Sequence, residues 1–362
     1  MRKEDLFIIE LCRFLSPDTE KLLELSKEGL DYSYVLGKIL INRIGGIAYH
    51  TLSQINLLQN TEREFKNCLT TMYKNNVEKT NELLTILDSI SVAFKNESFK
   101  YAILKGGYLA SVFPIGTRTS NDVDVLVDTC GIDQLTKCLK ENEYIQGFYK
   151  NGVIQPATRA EIISSRLNRG ELVPFIKRMD YKHFEIAEID VNFSLDYKAN
   201  TNDGIVTKML EHIEMKIDTP SGKLQTLCKE DFIIHLCCHL YKEATTYSWV
   251  LFNRDQGLYK YIDIYALLNN ETEHFVGQLL QRIHQLHKET ECYYAFNVLD
   301  EMYGGIYSSV KKEIKKEDGI YNVNTIYDPI GNKTYKHNMH ILDWLLCNIR
   351  KRHLYEIKND RS

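Results

Sequence analysis

Residues 104–109 read Leu-Lys-Gly-Gly-Tyr-Leu, and residues 116–127 read Gly-Thr-Arg-Thr-Ser-Asn-Asp-Val-Asp-Val-Leu-Val. The β-branched run around Asp122 and Asp124 predicts a buried strand. Side chains two residues apart on a strand point to the same face, so the two carboxylates would lie side by side. Because burying unpaired carboxylates costs several kcal/mol, a divalent cation is their natural partner. We therefore expect Asp122 and Asp124 to be metal ligands.

The glycine pair lies about fifteen residues before the acids, at a predicted helix start. Glycine lets a ligand approach the backbone closely, and the first amides of a helix attract phosphate groups. We expect Gly106 and Gly107 to bind the β- and γ-phosphates of a nucleoside triphosphate (NTP). Lys105 and Arg118 would neutralise that triphosphate. Ser120 would either bond a phosphate oxygen or close the turn.

The glycine turn followed by Asp-x-Asp resembles the signature of the polymerase β-like nucleotidyltransferase superfamily. In detail it is most similar to the bacterial family called "uncharacterised nucleotidyltransferase". The resemblance implies a third acid on a later strand. The segment 185–195 alternates apolar and polar residues, which predicts a half-buried strand with Asp190 on its polar face. Asp190 would complete a metal site and accept a proton, and Glu188 competes for this role on the same face.

Strand character over 101–127 and 185–195 lies between helical patterns. We predict an α+β fold with a small mixed β-sheet, flanked by N-terminal and C-terminal helical domains. The predicted domains are residues 1–97, the core 98–200 and the helical region 201–362. Within the core, glycines and prolines over about 145–180 suggest an irregular insertion or a helical excursion.

The composition is that of an ordinary globular protein, with 44% hydrophobic and 26% charged residues among 362. The N-terminal sequence lacks a signal-peptide pattern, so a cytoplasmic location without membrane association is expected. Nine cysteines without a Cys-x-x-Cys pair indicate neither a disulfide framework nor a zinc ribbon. A net charge of −4 does not favour a broad nucleic-acid surface. Oligomeric state has no signal in the sequence.

The segment His235-Leu-Cys-Cys-His239 places two imidazoles one helical turn apart. A zinc site would need further ligands that the sequence does not indicate. His239 instead resembles a histidine found in the first C-terminal helix of the family, which implies a role in the substrate pocket. Lys260 and Asp263, also a turn apart, would line the same pocket or form an exposed helical ion pair.

These features predict a metal-dependent nucleotidyltransferase. It would use two Mg²⁺ ions, or Mn²⁺, to move a nucleoside monophosphate from an NTP to an acceptor and release pyrophosphate. The acceptor would be a hydroxyl or phosphate of a small molecule, sugar or modified peptide. Alternatives are a toxin-like enzyme acting on RNA or protein, a glycosyltransferase that uses Asp-x-Asp, and a catalytically silent nucleotide sensor.

Overall fold

A computed structural model describes residues 1–27, 29–196, 204–315 and 323–357. The predicted boundary between residues 200 and 201 lies outside these ranges. The described helices are α1 (Lys3–Leu11), α2 (Thr19–Lys27), α3 (Tyr32–Ile41), α4 (Gly45–Gln54), α5 (Arg63–Phe94), α6 (Lys105–Val112), α7 (Ile132–Glu141), α8 (Arg159–Asn168), α9 (Ile205–Leu210), α10 (Lys229–Ala244), α11 (Tyr247–Leu251), α12 (Leu258–Leu268), α13 (Glu273–Gln285), α14 (Glu289–Met302), α15 (Ser308–Ile314) and α16 (Ile341–Leu346). The described strands are β1 (Tyr101–Ile103), β2 (Val123–Val127), β3 (Ile145–Lys150), β4 (Val153–Pro156), β5 (Phe175–Arg178), β6 (Ile186–Asn192), β7 (Lys216–Asp218), β8 (Lys223–Gln225), β9 (Thr325–Asp328), β10 (Lys333–Lys336) and β11 (Tyr355–Ile357).

The chain divides into two compact units. The central unit comprises residues 71–232, and the discontinuous unit comprises residues 1–70 together with 233–362. Among the described residues, no helix has both the length and the apolar character that a membrane crossing requires. The three predicted domain ranges stay predictions.

A mixed six-stranded sheet forms the core of the central unit, with strand order β1-β2-β6-β5-β3-β4. The β2 and β6 strands are parallel, whereas the other neighbouring pairs are antiparallel. The predicted α+β class with a mixed sheet is therefore confirmed. All five residues of β2 are buried, and β1 and β6 pair with its two edges.

The stretch 145–180, expected to be an irregular insertion or a helical excursion, contains the helix α8 and also the strands β3, β4 and β5, which belong to the six-stranded sheet. A hairpin joins β3 to β4 through Asn151 and Gly152, which both have positive φ values, 52° and 78°. Asn-Gly between two strands is a strong hairpin signal, because both central residues of a type I′ turn need φ > 0. Gly147 obscured the strand pattern, yet a Cβ there would lie 2.2 Å from the Gln155 carbonyl oxygen.

The region beyond residue 201 also contains strands, so the expectation of a purely helical C-terminal region is corrected. In the discontinuous unit, β9, β10 and β11 form an antiparallel sheet with order β11-β10-β9. Val250, Ile326 and Trp344 form its buried cluster, against which Tyr247 and Tyr335 pack. The strands are short, and their tyrosine-rich sequences give only weak periodicity.

Candidate active site

The predicted acids of β2 and β6 lie side by side. Asp124 is directly opposite Asp190 in the parallel β2–β6 pairing, and partners in such a register share one face of the sheet. Asp124 is buried, with 4% of its surface exposed. Two acids separated by 66 positions in the chain are thus brought together by strand pairing.

Glu188 joins this acidic face, since it lies two residues before Asp190 on β6. Burial raises the pKa of Glu188, and the neighbouring charges of Asp122 and Asp124 raise it further. Burial also raises the pKa of Asp190 well above its usual range, with further increases from Asp124, Asp122 and Glu188. We call these four residues the carboxylate cluster. Their mutual repulsion creates a strong demand for positive charge.

Asp122 lies just before β2 and is held by Ser120. The Ser120 hydroxyl donates a hydrogen bond to Oδ1 of Asp122 over 2.8 Å. In this structure, therefore, the serine that was expected to close the turn or bond phosphate orients a carboxylate of the cluster.

The start of α6 lies beside Asp124. Leu104 is extended, and its amide donates to the Asp124 carbonyl oxygen at 2.9 Å, after which the chain turns directly into α6. The Gly107 amide donates to the Leu104 carbonyl oxygen at 3.2 Å. The amides of Lys105 and Gly106 come before it, in the first turn, where a helix attracts anions. The predicted phosphate-binding segment and the carboxylate cluster thus adjoin.

Both glycines make contacts that no side chain would permit. A Cβ on Gly106 would lie 2.5 Å from the Cβ and Oγ atoms of Ser120. A Cβ on Gly107 would lie 2.8 Å from Cγ2 of Ile103, within the packing of α6 on the sheet. Gly106 therefore lets Ser120 reach Asp122, and Gly107 lets the helix approach β1.

We predict that replacing Gly106 with alanine weakens the expected magnesium-dependent NTP binding by about tenfold or more, which corresponds to about 1.4 kcal/mol. The added methyl group would displace Ser120 and with it the hydrogen bond to Asp122. Calorimetric titration of the folded variant measures this effect. Gly277→Ala in α13 is the matched control, because a Cβ there meets nothing within 4 Å. Unchanged affinity in Gly106→Ala would contradict this role.

Helix α5 holds the loop that leads to the carboxylate cluster, a function that sequence reasoning missed. The Asn76 side chain donates to the Gly116 carbonyl oxygen at 3.1 Å, and the Thr80 hydroxyl donates to the Arg118 carbonyl oxygen at 3.3 Å. Lys79 donates to the side chain of Asn121. Positions 76, 79 and 80 share one face of the helix. The sequence shows that this face is polar, but it does not show which loop residues these side chains contact.

Arg118 is half-buried on this loop, and its guanidinium donates to the carbonyl oxygen of Thr119. The loop brings Arg118, Ser120 and Asp122 into one short segment held by α5. The contribution of Arg118 to phosphate binding stays a prediction.

His239, Lys260 and Asp263 belong to the discontinuous unit. The Lys260 ammonium pairs with Glu243 and donates to the carbonyl oxygens of Arg254 and Asp255 at 2.9 and 3.0 Å. Nε2 of His239 lies 3.3 Å from the same Glu243 carboxylate. Burial alone would raise the pKa of Glu243, but His239 and Lys260 outweigh it and hold that pKa well below its usual range.

Lys260 and Asp263 are both buried, at 8% and 3% exposure, so they do not form the exposed helical ion pair considered from the sequence. The contacts of Lys260 with Glu243 and two carbonyl groups instead join α10, α12 and the segment before α12. The substrate-pocket role of His239, Lys260 and Asp263 stays a prediction.

The carboxylate cluster fits Mg²⁺ in the chemistry of its donors, because hard cations prefer carboxylate oxygens. Burial and the neighbouring carboxylates raise the pKa of Glu188 and of Asp190, so added positive charge would be favourable at these oxygens. As the side chains stand, no three His, Cys, Asp or Glu residues in the described parts of the chain are arranged to hold a metal ion. The Lys105 ammonium instead lies 2.6 Å from Oδ1 of Asp124.

The acidic sheet face thus lies beside a glycine-rich helix start, which is the arrangement that the nucleotidyltransferase signature predicts. The family model described as "Uncharacterised nucleotidyltransferase" matches residues 39–304, and the chain belongs to this family. The family predicted from the sequence is thereby confirmed, and its general activity is nucleotidyl transfer.

The chain is also similar to proteins of solved structure. An antigenic nucleotidyltransferase-like protein from Paracoccidioides brasiliensis is 15% identical, with a TM-score of 0.37, over 67% of this chain and 98% of that chain. No curated protein shows significant similarity to the chain.

Proposed function

We propose that this chain is a metal-dependent nucleotidyltransferase that moves a nucleoside monophosphate from an NTP to an acceptor oxygen and releases pyrophosphate. The acceptor is a hydroxyl or phosphate group of a small molecule, sugar or modified peptide. The observation that carries this proposal is the pairing of Asp124 with Asp190 on adjacent parallel strands, with Asp122 and Glu188 on the same face.

In the reaction, the acceptor oxygen forms a bond to the α-phosphorus, and the bond from that phosphorus to the bridging oxygen of the pyrophosphate breaks. Asp122, Asp124 and Asp190 would hold two Mg²⁺ ions, or Mn²⁺ in their place. When bound, these ions supply stabilisation of the charge on the attacking and leaving oxygens.

The chain's own groups bind and orient the substrates. The first amides of α6 bind the β- and γ-phosphates, and Arg118 adds positive charge to the triphosphate site. Asp190 accepts the proton of the acceptor hydroxyl as the general base. Ser120 keeps Asp122 oriented throughout.

Calorimetric titration with ATP, GTP, CTP and UTP, each with and without Mg²⁺, tests the nucleotide site. We expect at least one NTP to bind only with Mg²⁺, and Asp122→Ala to lose at least about tenfold in affinity. The control is Asp133→Ala, because Asp133 is an exposed acid on α7 with 86% of its side chain accessible. Equal binding by Asp122→Ala and wild type, or no binding of any NTP to the folded protein, would contradict the proposal.

A further inference from the structure

Lys105 and Asp124 form a close ion pair inside the candidate active site. Nζ of Lys105 lies 2.6 Å from Oδ1 of Asp124, and the two side chains are only 18% and 5% exposed. A charge-assisted contact at this distance, shielded from water, is stronger than an ordinary surface ion pair. Lys105 therefore supplies positive charge where the carboxylate cluster requires it.

The electrostatics of the cluster agree with this role. The charge of Lys105 opposes the carboxylates that raise the pKa of Asp190, yet that pKa remains raised. One ammonium group faces four carboxyl groups in this cluster, so it compensates their charge only in part. A second source of positive charge would still be favourable at this face.

The backbone of Lys105 is strained. Its φ is +44°, in the left-handed region, which costs a residue with a side chain about 1–2 kcal/mol. A glycine in place of Lys105 would adopt the same conformation without that cost. Strain of this kind persists where surrounding contacts impose it and is frequent in parts of a site that change conformation. The ion pair with Asp124 is one contact that holds Lys105 in this position.

We propose that Lys105 is a resident counter-ion of the carboxylate cluster, which leaves Asp124 when a metal–nucleotide complex binds and then contacts the triphosphate. This inference rests on the proposed function, because it assumes that Asp124 binds metal. The ammonium and a metal ion would compete for the same Asp124 oxygen. Lysine has a long flexible stem, and Lys105 begins α6, the helix whose first amides are the proposed phosphate-binding groups.

The consequence is a coupling between metal and nucleotide. Without nucleotide, metal binding must break the ion pair and leave the ammonium without the triphosphate as a new partner. With nucleotide, the displaced ammonium gains a phosphate partner, so each ligand strengthens the binding of the other. A divalent cation alone should therefore bind weakly to the wild-type protein.

Binding of Mn²⁺, followed by the loss of the free-ion signal in electron paramagnetic resonance, tests this without requiring turnover. In the absence of nucleotide, Lys105→Met should bind Mn²⁺ at least about tenfold more tightly than wild type. A non-hydrolysable analogue of the NTP identified by titration should tighten Mn²⁺ binding about tenfold in wild type, but by less than about threefold in Lys105→Met. Lys105→Arg should retain the weak binding of wild type, because the positive charge remains.

Lys137→Met is the matched control, since Lys137 is an exposed lysine of α7 with 75% of its side chain accessible. Lys105→Gln replaces Lys105→Met if the methionine variant does not fold. Mn²⁺ affinities of wild type and Lys105→Met within about twofold, or weaker binding by the variant, would overturn the counter-ion role while leaving the metal site intact. Failure of every protein to bind Mn²⁺ even with nucleotide would instead overturn the proposed function.

Discussion

Asp124→Asn should lower the rate of pyrophosphate release by at least about 10³-fold, equivalent to about 4 kcal/mol of transition-state stabilisation. Asparagine keeps the size of the side chain but removes the charge that metal binding requires. Asp124 lies opposite Asp190 on the neighbouring parallel strand and forms an ion pair with Lys105. The rate is measured with the bound NTP and a mixture of small-molecule acceptors.

The same substitution should leave the fold intact. It removes the ion pair with Lys105, which destabilises the protein, but it also removes repulsion between Asp124 and Asp190, which stabilises it. We expect the two effects to offset each other to within about 1 kcal/mol, as in most substitutions without a large packing change. Asp133→Asn serves as the control with full activity. An Asp124→Asn variant with activity within about tenfold of wild type would contradict the role of Asp124 as a metal ligand.

Asp190→Asn should combine a loss of activity of about 10²-fold or more with a gain in stability of the metal-free protein. Because the folded-state pKa of Asp190 is raised, the folded protein binds this proton more tightly than the unfolded chain. Below the ordinary Asp pKa of about 4, the carboxyl of Asp190 is protonated in both states and does not lower the free energy of unfolding. As pH rises above that value, the free energy of unfolding falls, and the decrease is complete once pH exceeds the raised folded-state pKa of Asp190.

Thermal unfolding in EDTA between pH 4 and pH 8 measures this effect. Asp190→Asn should unfold at a temperature about 2–4 °C higher than wild type near pH 7, and the difference should shrink toward pH 4. Adding Mg²⁺ and NTP should stabilise wild type more than the variant, because ligands stabilise the state that binds them. A variant less stable than wild type at pH 7 in EDTA would show that the Asp190 charge is compensated in the fold.

The local elements of the site were predictable because their residue patterns are strong. The run around Asp122 and Asp124 predicted β2, and the alternation over 185–195 predicted β6. The position of α6 followed from Gly106 and Gly107. These predictions depend on periodicity within one segment, which is the information that a single sequence carries best.

Long-range pairings were not predictable in the same way. The register that places Asp190 opposite Asp124 depends on packing between distant segments, and the inclusion of Glu188 follows from it. The ion pair of Lys105 with Asp124 depends on side-chain geometry over 19 positions. The β3–β4 hairpin, in contrast, was predictable from local sequence, because Asn151 and Gly152 form a strong turn signal. The glycines and prolines around this pair instead suggested an irregular segment.

The most direct test of nucleotidyl transfer uses two preparations of the NTP that binds, one labelled at the α-phosphate and one at the γ-phosphate. Each is incubated with Mg²⁺, the protein and a mixture of small-molecule acceptors, with Asp124→Asn as the inactive reference. We predict that the α-label moves to a new product while the γ-label appears only in pyrophosphate, and that neither occurs with Asp124→Asn. Transfer of the γ-label to the product would contradict nucleotidyl transfer, as would α-label transfer that persists in the Asp124→Asn variant.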